Sequence, residues 1–294
     1  MQDFCTAQHL GCAFWETYSV ANEADTLRLK CITSMDKQYE KHYHALEEKH
    51  WWFVSRRRKI LSMIDICPQK TYLDIGCSSG KLLESLIEKG ADPNQVLGID
   101  ISPEGIEACQ AKGLTNTFVM DATSVDLPAG SFDVIIASDC LEHIQQDEAA
   151  LQNWYKLLRP DGIMIVFVPA FMSLWSPHDE VNHHFRRYTH RELTGKINKA
   201  SFSVLRHGYW NTTLFIPIML YRFLRNTLEN KGLKKEKPSA DLGAVPALAN
   251  ALLRGLLCIE NSIMEIIRFP FGVSTFCVAR KQAPNRETEY LRQI

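Results

Sequence analysis

One short stretch of this 294-residue chain, Leu73-Asp74-Ile75-Gly76-Cys77-Ser78-Ser79-Gly80, has the residue types and spacing that bind a nucleoside. Gly76 and Gly80 let the backbone turn sharply from a strand into a helix and approach a ligand with no Cβ in the way. The helix start beyond them offers free N–H groups and the positive end of a dipole. Asp100 lies twenty residues past Gly80, at the tip of the next apolar run, where a carboxylate accepts both hydroxyls of a ribose. The dinucleotide fingerprint G-x-G-x-x-G is not met, because an acid precedes the first glycine and a third glycine is missing. Asp74 beside a pyrophosphate is unfavourable, whereas beside an ammonium or sulfonium it is favourable. The loop therefore reads as a site for a positively charged nucleoside cofactor, and S-adenosylmethionine (SAM) fits.

These residues need a scaffold. Residues 71–75, 96–99, 117–120, 132–137 and 163–168 are continuous apolar runs, the pattern of strands whose two faces are both covered by helices. Amphipathic segments separate them, so the expected architecture is a parallel α/β sheet. Ser102-Pro103-Glu104 is a helix start, with a capping hydroxyl, a first-turn proline and an acid facing the dipole. Thr189-His190-Arg191-Glu192 is a capping box for a helix running to about Ala200. Residues 203–205 and 275–279 read as closing strands. Between them, 211–271 holds two apolar helical stretches divided by a Lys-rich linker at 230–241. Residues 36–66 read as helical.

From about 71 to 169 the chain resembles the class I SAM-dependent methyltransferases of type 11/12. Asp74, Gly76 and Gly80 match their first motif, with Ser78 standing where that family most often has glycine. The segment 132–138 leading into Leu141-Glu142-His143 matches the strand-four motif, and 157–162 the turn before strand five. The resemblance implies a Rossmann-like three-layer sandwich, with a seven-stranded, mostly parallel sheet, an antiparallel last strand and a helical insertion. It also implies cofactor contacts from Asp74, Gly76, Cys77, Ser78, Gly80, Asp100, Ile101, Asp121, Ala122 and Ser138. Asp100 would hold the ribose, Ile101 would pack on the adenine, and Asp121 would cap its amino group.

Fold does not give the acceptor. No Asn/Asp-Pro-Pro-aromatic motif follows the fourth strand, and Cys140 sits in Ser-Asp-Cys-Leu rather than after a proline. Amide or base nitrogens and the cytosine carbon are thereby disfavoured, which leaves a small-molecule or a lipid- or sugar-linked acceptor, at oxygen. Two segments, 50–57 and 178–189, are similar to a bacterial-type subgroup associated with surface glycan and lipid pathways. Trp52 and Arg56 of the first are expected to close over the methionine end, with Arg56 pairing its carboxylate. In the second, His183 or His184 reads as a general base while His178, Arg187 and Tyr188 face the acceptor. A metal site on His178, Asp179 and His183 is the rival reading, and a solvated capping loop the plain one; no metal is expected. His143 is a further base candidate, although in-line positioning alone can suffice for methyl transfer.

Composition sets the outer limits. A hydrophobic content of 46% against 23% charged residues excludes a mainly disordered chain. With 33 basic and 34 acidic residues, a phosphate-dominated nucleic-acid binder is not expected. Nine irregularly spaced cysteines favour free thiols in a reducing compartment. No secretory leader pattern and no apolar run of ~18 residues occurs, so a cytoplasmic protein is expected, as monomer or homodimer, with peripheral membrane contact through 211–271 as the sharper alternative. The expected organisation is an appendage at 1–34, a helical cap at 35–70, the cofactor-binding core at 71–210, the insertion at 211–271, and a final strand with tail at 272–294. The rival functions are an NAD-dependent oxidoreductase and a catalytically silent, methyltransferase-like partner protein.

Overall fold

The computed structural model describes residues 37–230, 243 and 245–283. The appendage at 1–34 and most of the Lys-rich linker lie outside the described residues. Helices α1 (Lys37–Lys49) and α2 (Trp51–Leu61) precede the sheet. Where the sequence predicts one helix over 36–66, His50 breaks it: its backbone is extended and its Nδ1 accepts from the Trp52 N–H at 3.3 Å, which starts α2 afresh. Then follow β1 (Tyr72–Ile75), α3 (Lys81–Glu88), β2 (Val96–Asp100), α4 (Pro103–Ala111), β3 (Thr117–Val119), β4 (Phe132–Ser138), α5 (Asp147–Leu157) and β5 (Leu158–Pro169). The chain continues through α6 (Pro177–Val181), α7 (His190–Lys199), β6 (Ser203–Trp210), α8 (Phe215–Asn230), α9 (Ala247–Ile263) and β7 (Ser274–Arg280).

The seven strands lie in the order β3-β2-β1-β4-β5-β7-β6. All pairs are parallel except those of β7, which runs antiparallel to both β5 and β6. Residues alternate between faces, and each face has its own core. Leu73 and Ile75 of β1 pack with Leu151 and Trp154 of α5 and Leu193 and Ile197 of α7. Tyr72 packs on the other face with Ile60 of α2, Leu83 and Leu86 of α3, Ile106 of α4 and Leu257 of α9. The result is helix, sheet, helix: the three-layer α/β sandwich expected from continuous apolar strands. The turn expected at 157–162 is instead the irregular start of β5, where Asp161 takes a left-handed backbone and the register to β4 slips.

Local capping follows the sequence. Ser102 Oγ accepts from the Gly105 N–H at 3.0 Å, and Thr189 and Glu192 form the reciprocal capping box of α7. The two ends of the described chain are tied together by side-chain amides. Asn250 accepts from the Trp51 N–H and donates to the Lys49 carbonyl, while Asn261 donates to Ser55 O and accepts from Trp210 Nε1. Fully buried Lys59 joins them, donating to Asn261 O at 3.3 Å and to Glu265 at 2.5 Å. The six cysteines among the described residues are free thiols, and no described helix is long and apolar enough to cross a membrane.

Candidate functional site

Strand order reverses direction between β1 and β4, so a crevice opens beyond their carboxyl ends, the place where open α/β sheets bind ligands. Backbone strain collects along this edge. Ser78 after β1, Asp139 after β4, Phe171 after β5 and Asn211 after β6 are all non-glycine residues with φ between 49° and 61°. Such conformations cost on the order of 1 kcal/mol or more and concentrate where function fixes the backbone.

The loop after β1 is built as its glycines require. Gly76 and Gly80 sit at φ +79° and +77°. A Cβ on Gly80 would stand 2.5 Å from Leu114 Cδ1, and one on Gly76 would stand 3.1 Å from the Cys140 Cβ. Cys77 is buried beneath the loop, its Sγ 2.8 Å from where a Cβ on Gly98 would lie. Asp100 Oδ2 accepts from the Ser78 N–H at 2.8 Å and Oδ1 from the Ser102 N–H at 2.9 Å, so the carboxylate is aimed and braced by backbone. Each oxygen keeps a further lone pair for a hydroxyl. Ile101 beside it is exposed, 41%, an apolar side chain presented on the crevice wall. Asp121 accepts from the Thr123 N–H at 2.8 Å, and the Ala122 carbonyl accepts from Trp154 Nε1, which fixes the turn after β3.

Three carboxyl groups converge on the loop. Burial, and then the neighbouring Asp100 and Glu47 charges, push Asp74 up to about 8. Burial raises Asp100 as well, against its backbone hydrogen bonds. Glu47, reaching down from α1, accepts from Ser79 Oγ at 2.6 Å, and burial lifts it to about 7. A buried acid cluster of this kind suits a cationic ligand, and a pyrophosphate would meet repulsion. The donor set therefore fits a sulfonium nucleoside.

Beyond β4 the segment 138–143 forms the opposite wall. Trp52 is half-buried; the Arg56 guanidinium lies 4.6 Å from its ring centre and 5.5 Å from that of fully buried Trp210. Arg56 donates to Asp139 and, weakly, to Ser138 Oγ. The expectation that Arg56 meets a cofactor carboxylate is corrected accordingly, because Asp139 already holds that guanidinium. His143 is solvent-accessible, although the groups around it hold its imidazole neutral, down to about 3, through desolvation and the neighbouring His184. Its ring meets that of His184 edge to face, with centroids 4.6 Å apart.

The charged pair at the centre of the 178–189 segment is internal. Asp179, with no exposed surface, receives Arg187 Nε at 2.7 Å and Nη2 at 2.9 Å, and pairs with His184 Nδ1 at 2.8 Å. Arg187, expected to face the acceptor, is therefore a buried structural cation. Tyr188 is corrected in the same way: its hydroxyl donates to Asp147 at 2.8 Å, and the ring lies in the core under α5 and α7. His183 is exposed with a left-handed backbone, and His178 is half-buried beside Asn182. The metal set read from the sequence, His178, Asp179 and His183, is not assembled; among the described residues, Glu142, His143 and His184 are. Glu47, Asp139 and Glu142 were missed by sequence reasoning. The last two flank the recognised strand-four motif, whereas nothing in the local sequence around Glu47 points at the loop.

Comparison with known proteins bears on this geometry. Residues 73–166 match a family model described as a methyltransferase domain. That segment carries the Rossmann-like fold of the class I methyltransferases. The ubiquinone biosynthesis O-methyltransferase of Xanthomonas oryzae pv. oryzae is 34% identical over 129 residues, 42% of this chain and 50% of that protein. The nocamycin O-methyltransferase of Saccharothrix syringae is 32% identical over 111 residues, 36% of this chain and 40% of that protein. The chain spans about half the length of the curated relatives it matches. Among solved structures, a methyltransferase in complex with the Haloferax volcanii Trm112 activator superposes with a TM-score of 0.56 at 16% identity, over 85% of this chain and 96% of that one. The [4+2]-cyclase SpnF superposes with 0.52 at 17% identity, over 78% of this chain and 81% of that one. These structural likenesses show the fold alone.

Proposed function

We propose that the protein transfers the methyl group of SAM to an oxygen of a small-molecule or lipid- or sugar-linked acceptor. The observation that carries this reading is the acid loop itself: Asp100 braced to receive a ribose, with Asp74 and Glu47 crowded behind it. Bound there, SAM supplies an electrophilic methyl on a sulfonium. In this reading Asp100 holds the ribose, Ile101 and Ala122 flank the adenine, and Asp121 caps its amino group. Asp74, Gly76, Cys77, Ser78, Gly80 and Ser138 then shape the methionine end. The acceptor enters from the side of His143, and in-line positioning against the sulfonium carries the transfer without a strong base. O-methyltransferase names among the relatives support oxygen as the methylated atom. The likeness to a cyclase is the reason the reaction must be measured, since this fold hosts more than methyl transfer.

Calorimetric titration with SAM, S-adenosylhomocysteine and NAD tests the cofactor, and release of S-adenosylhomocysteine with candidate phenol or hydroxyl acceptors tests turnover. Micromolar SAM binding without NAD binding is expected. NAD binding in its place would overturn the reading, and SAM binding with no turnover on any acceptor would favour the silent-partner alternative.

The acid cluster sets a pH dependence. Near neutral pH the ligand-free site holds Asp74 and, in part, Glu47 protonated. A cation beside them favours the ionised forms, so binding releases protons below about pH 8 and affinity rises with pH until Asp74 is ionised on its own. The limit is roughly tenfold per pH unit for each proton released. The Kd for SAM should therefore fall between pH 6.5 and 8, and Asp74→Asn should flatten the profile. A steeper rise in the Asn variant would sink the assignment. The same raised carboxyls make the ligand-free fold lose stability as pH climbs from about 4 towards 8.

The lipid-linked acceptor is supported by a second observation. Ile216, Met219, Leu220, Phe223 and Leu224 form an exposed stripe on α8, spaced i, i+3, i+4, i+7, i+8. Leu248, Leu252, Leu256, Ile259 and Ile263 form another on α9, followed by Ile266 at 89% exposure. The two stripes suit contact with an acyl chain or a bilayer surface. Co-sedimentation with phosphatidylglycerol-containing vesicles is expected for the native chain and should drop severalfold for Phe223→Glu combined with Ile266→Glu. Undiminished sedimentation would remove these stripes from the account.

A further inference from the structure

We propose that Glu142, His143 and His184 form a binding site for one divalent transition-metal ion on the acceptor side of the crevice. One ligand atom from each lies within 4.8 Å of the other two. The Glu142 side chain has no exposed surface, and neither of its carboxylate oxygens has a hydrogen-bond partner. An unpaired carboxylate is among the costliest groups to bury, and such groups are ordinarily paired or coordinate a metal. Here the carboxylate stands beside two imidazoles.

The outer contacts point the same way. His184 gives its Nδ1 to Asp179 at 2.8 Å, which leaves Nε2 as the ligand atom. Asp179 is in turn held by both arms of Arg187 and by the Ser176 N–H at 2.9 Å. A carboxylate behind a histidine, fixing its tautomer and its ring plane, is the usual support of a metal-bound imidazole. It also accounts for a density of buried charge in 178–189 that acceptor binding does not use. Two imidazoles and one carboxylate suit zinc and its first-row neighbours, while magnesium and calcium prefer an all-oxygen shell. His143 is solvent-accessible, so an ion held beside it would keep positions open to an incoming oxygen ligand. An acceptor hydroxyl bound there loses its proton to water more readily and presents an oxygen nucleophile. That role rests on the methyltransferase reading; the ion site does not.

The test uses the full-length chain, stripped with chelator and titrated with Zn²⁺ and separately with Co²⁺, in the absence of SAM and acceptor. One ion per chain is expected, and Co²⁺ should give the visible absorption of a nitrogen- and oxygen-ligated site. Glu142→Gln and His143→Gln should each weaken binding at least tenfold. His143→Gln changes a solvent-accessible side chain, so it keeps the test clear of folding defects. His183→Ala, on the exposed neighbouring residue, should bind as the native chain does. No stoichiometric binding, or binding unchanged in both Glu142→Gln and His143→Gln, would overturn the proposal. Either result leaves SAM binding to be judged on its own titration.

Discussion

Replacing Asp100 with alanine should weaken SAM binding by at least ~100-fold. The carboxylate braces the Ser78 and Ser102 N–H groups at 2.8 and 2.9 Å, which leaves one lone pair on each oxygen for a ribose hydroxyl. A hydrogen bond to a charged group contributes about 1.5–3 kcal/mol. Losing two removes about 3–6 kcal/mol, and each 1.4 kcal/mol is about tenfold in Kd. The alanine also frees the loop, which adds an ordering cost on binding. Asp100→Asn retains one acceptor oxygen and should fall between the two. Calorimetry gives the Kd, and circular dichroism checks that the variants remain folded. A loss of less than about fivefold in Asp100→Ala would mean that the ribose is held elsewhere.

The second large effect is on stability. Arg187→Met should cost about 3–5 kcal/mol, because it strips both guanidinium arms from a buried carboxylate and leaves Asp179 only His184 and Ser176. In a chain of this size that corresponds to a melting temperature lower by roughly 6–20 °C. Asp179→Asn should cost a comparable amount by stranding the guanidinium. The double replacement Arg187→Met with Asp179→Leu should recover much of the loss, since removing both charges avoids the uncompensated one. Burial raises the Asp179 carboxyl, but His184 and Arg187 outweigh it and hold the group well below the usual carboxylate range. A depressed acid lends stability above its unfolded value of about 3.9 and loses it as pH falls. Acid melting below about pH 4 should therefore be less steep in Asp179→Asn than in the native chain. If Arg187→Met melts within 2 °C of native, the pair is not structural.

Much of the scaffold could be read from the sequence because its signals are local. Strands covered on both faces are written as unbroken apolar runs, and the capping residues Ser102 and Thr189 mark their helices within four positions. The Asp74 to Asp100 pattern is likewise carried by one strand–helix–strand unit. The site beyond it was less legible. Arg187 and Tyr188 look like substrate contacts in the sequence, since charge and aromatic density in a loop suggests exposure. Only the fold shows that Asp179 and Asp147 lie beneath them. Glu47 reaches Ser79 across 32 positions, and Glu142 meets His184 across 42, so neither has a local signature.

The amide ties between the two ends carry a consequence for how the chain is made. Trp51, Ser55 and Lys59 find their partners at Asn250 and Asn261, about 200 residues downstream. At roughly 5–20 residues per second on the ribosome, helix α2 waits on the order of 10–40 s for α9 to emerge. Throughout that interval the apolar face around Ile60 lacks Leu257, and the ammonium of Lys59 lacks Glu265. The α2 contacts must thus be among the last to close, with their non-local pairing slowing the final step. Until α9 and then β7 have emerged, the half-built sheet is a natural client for chaperones.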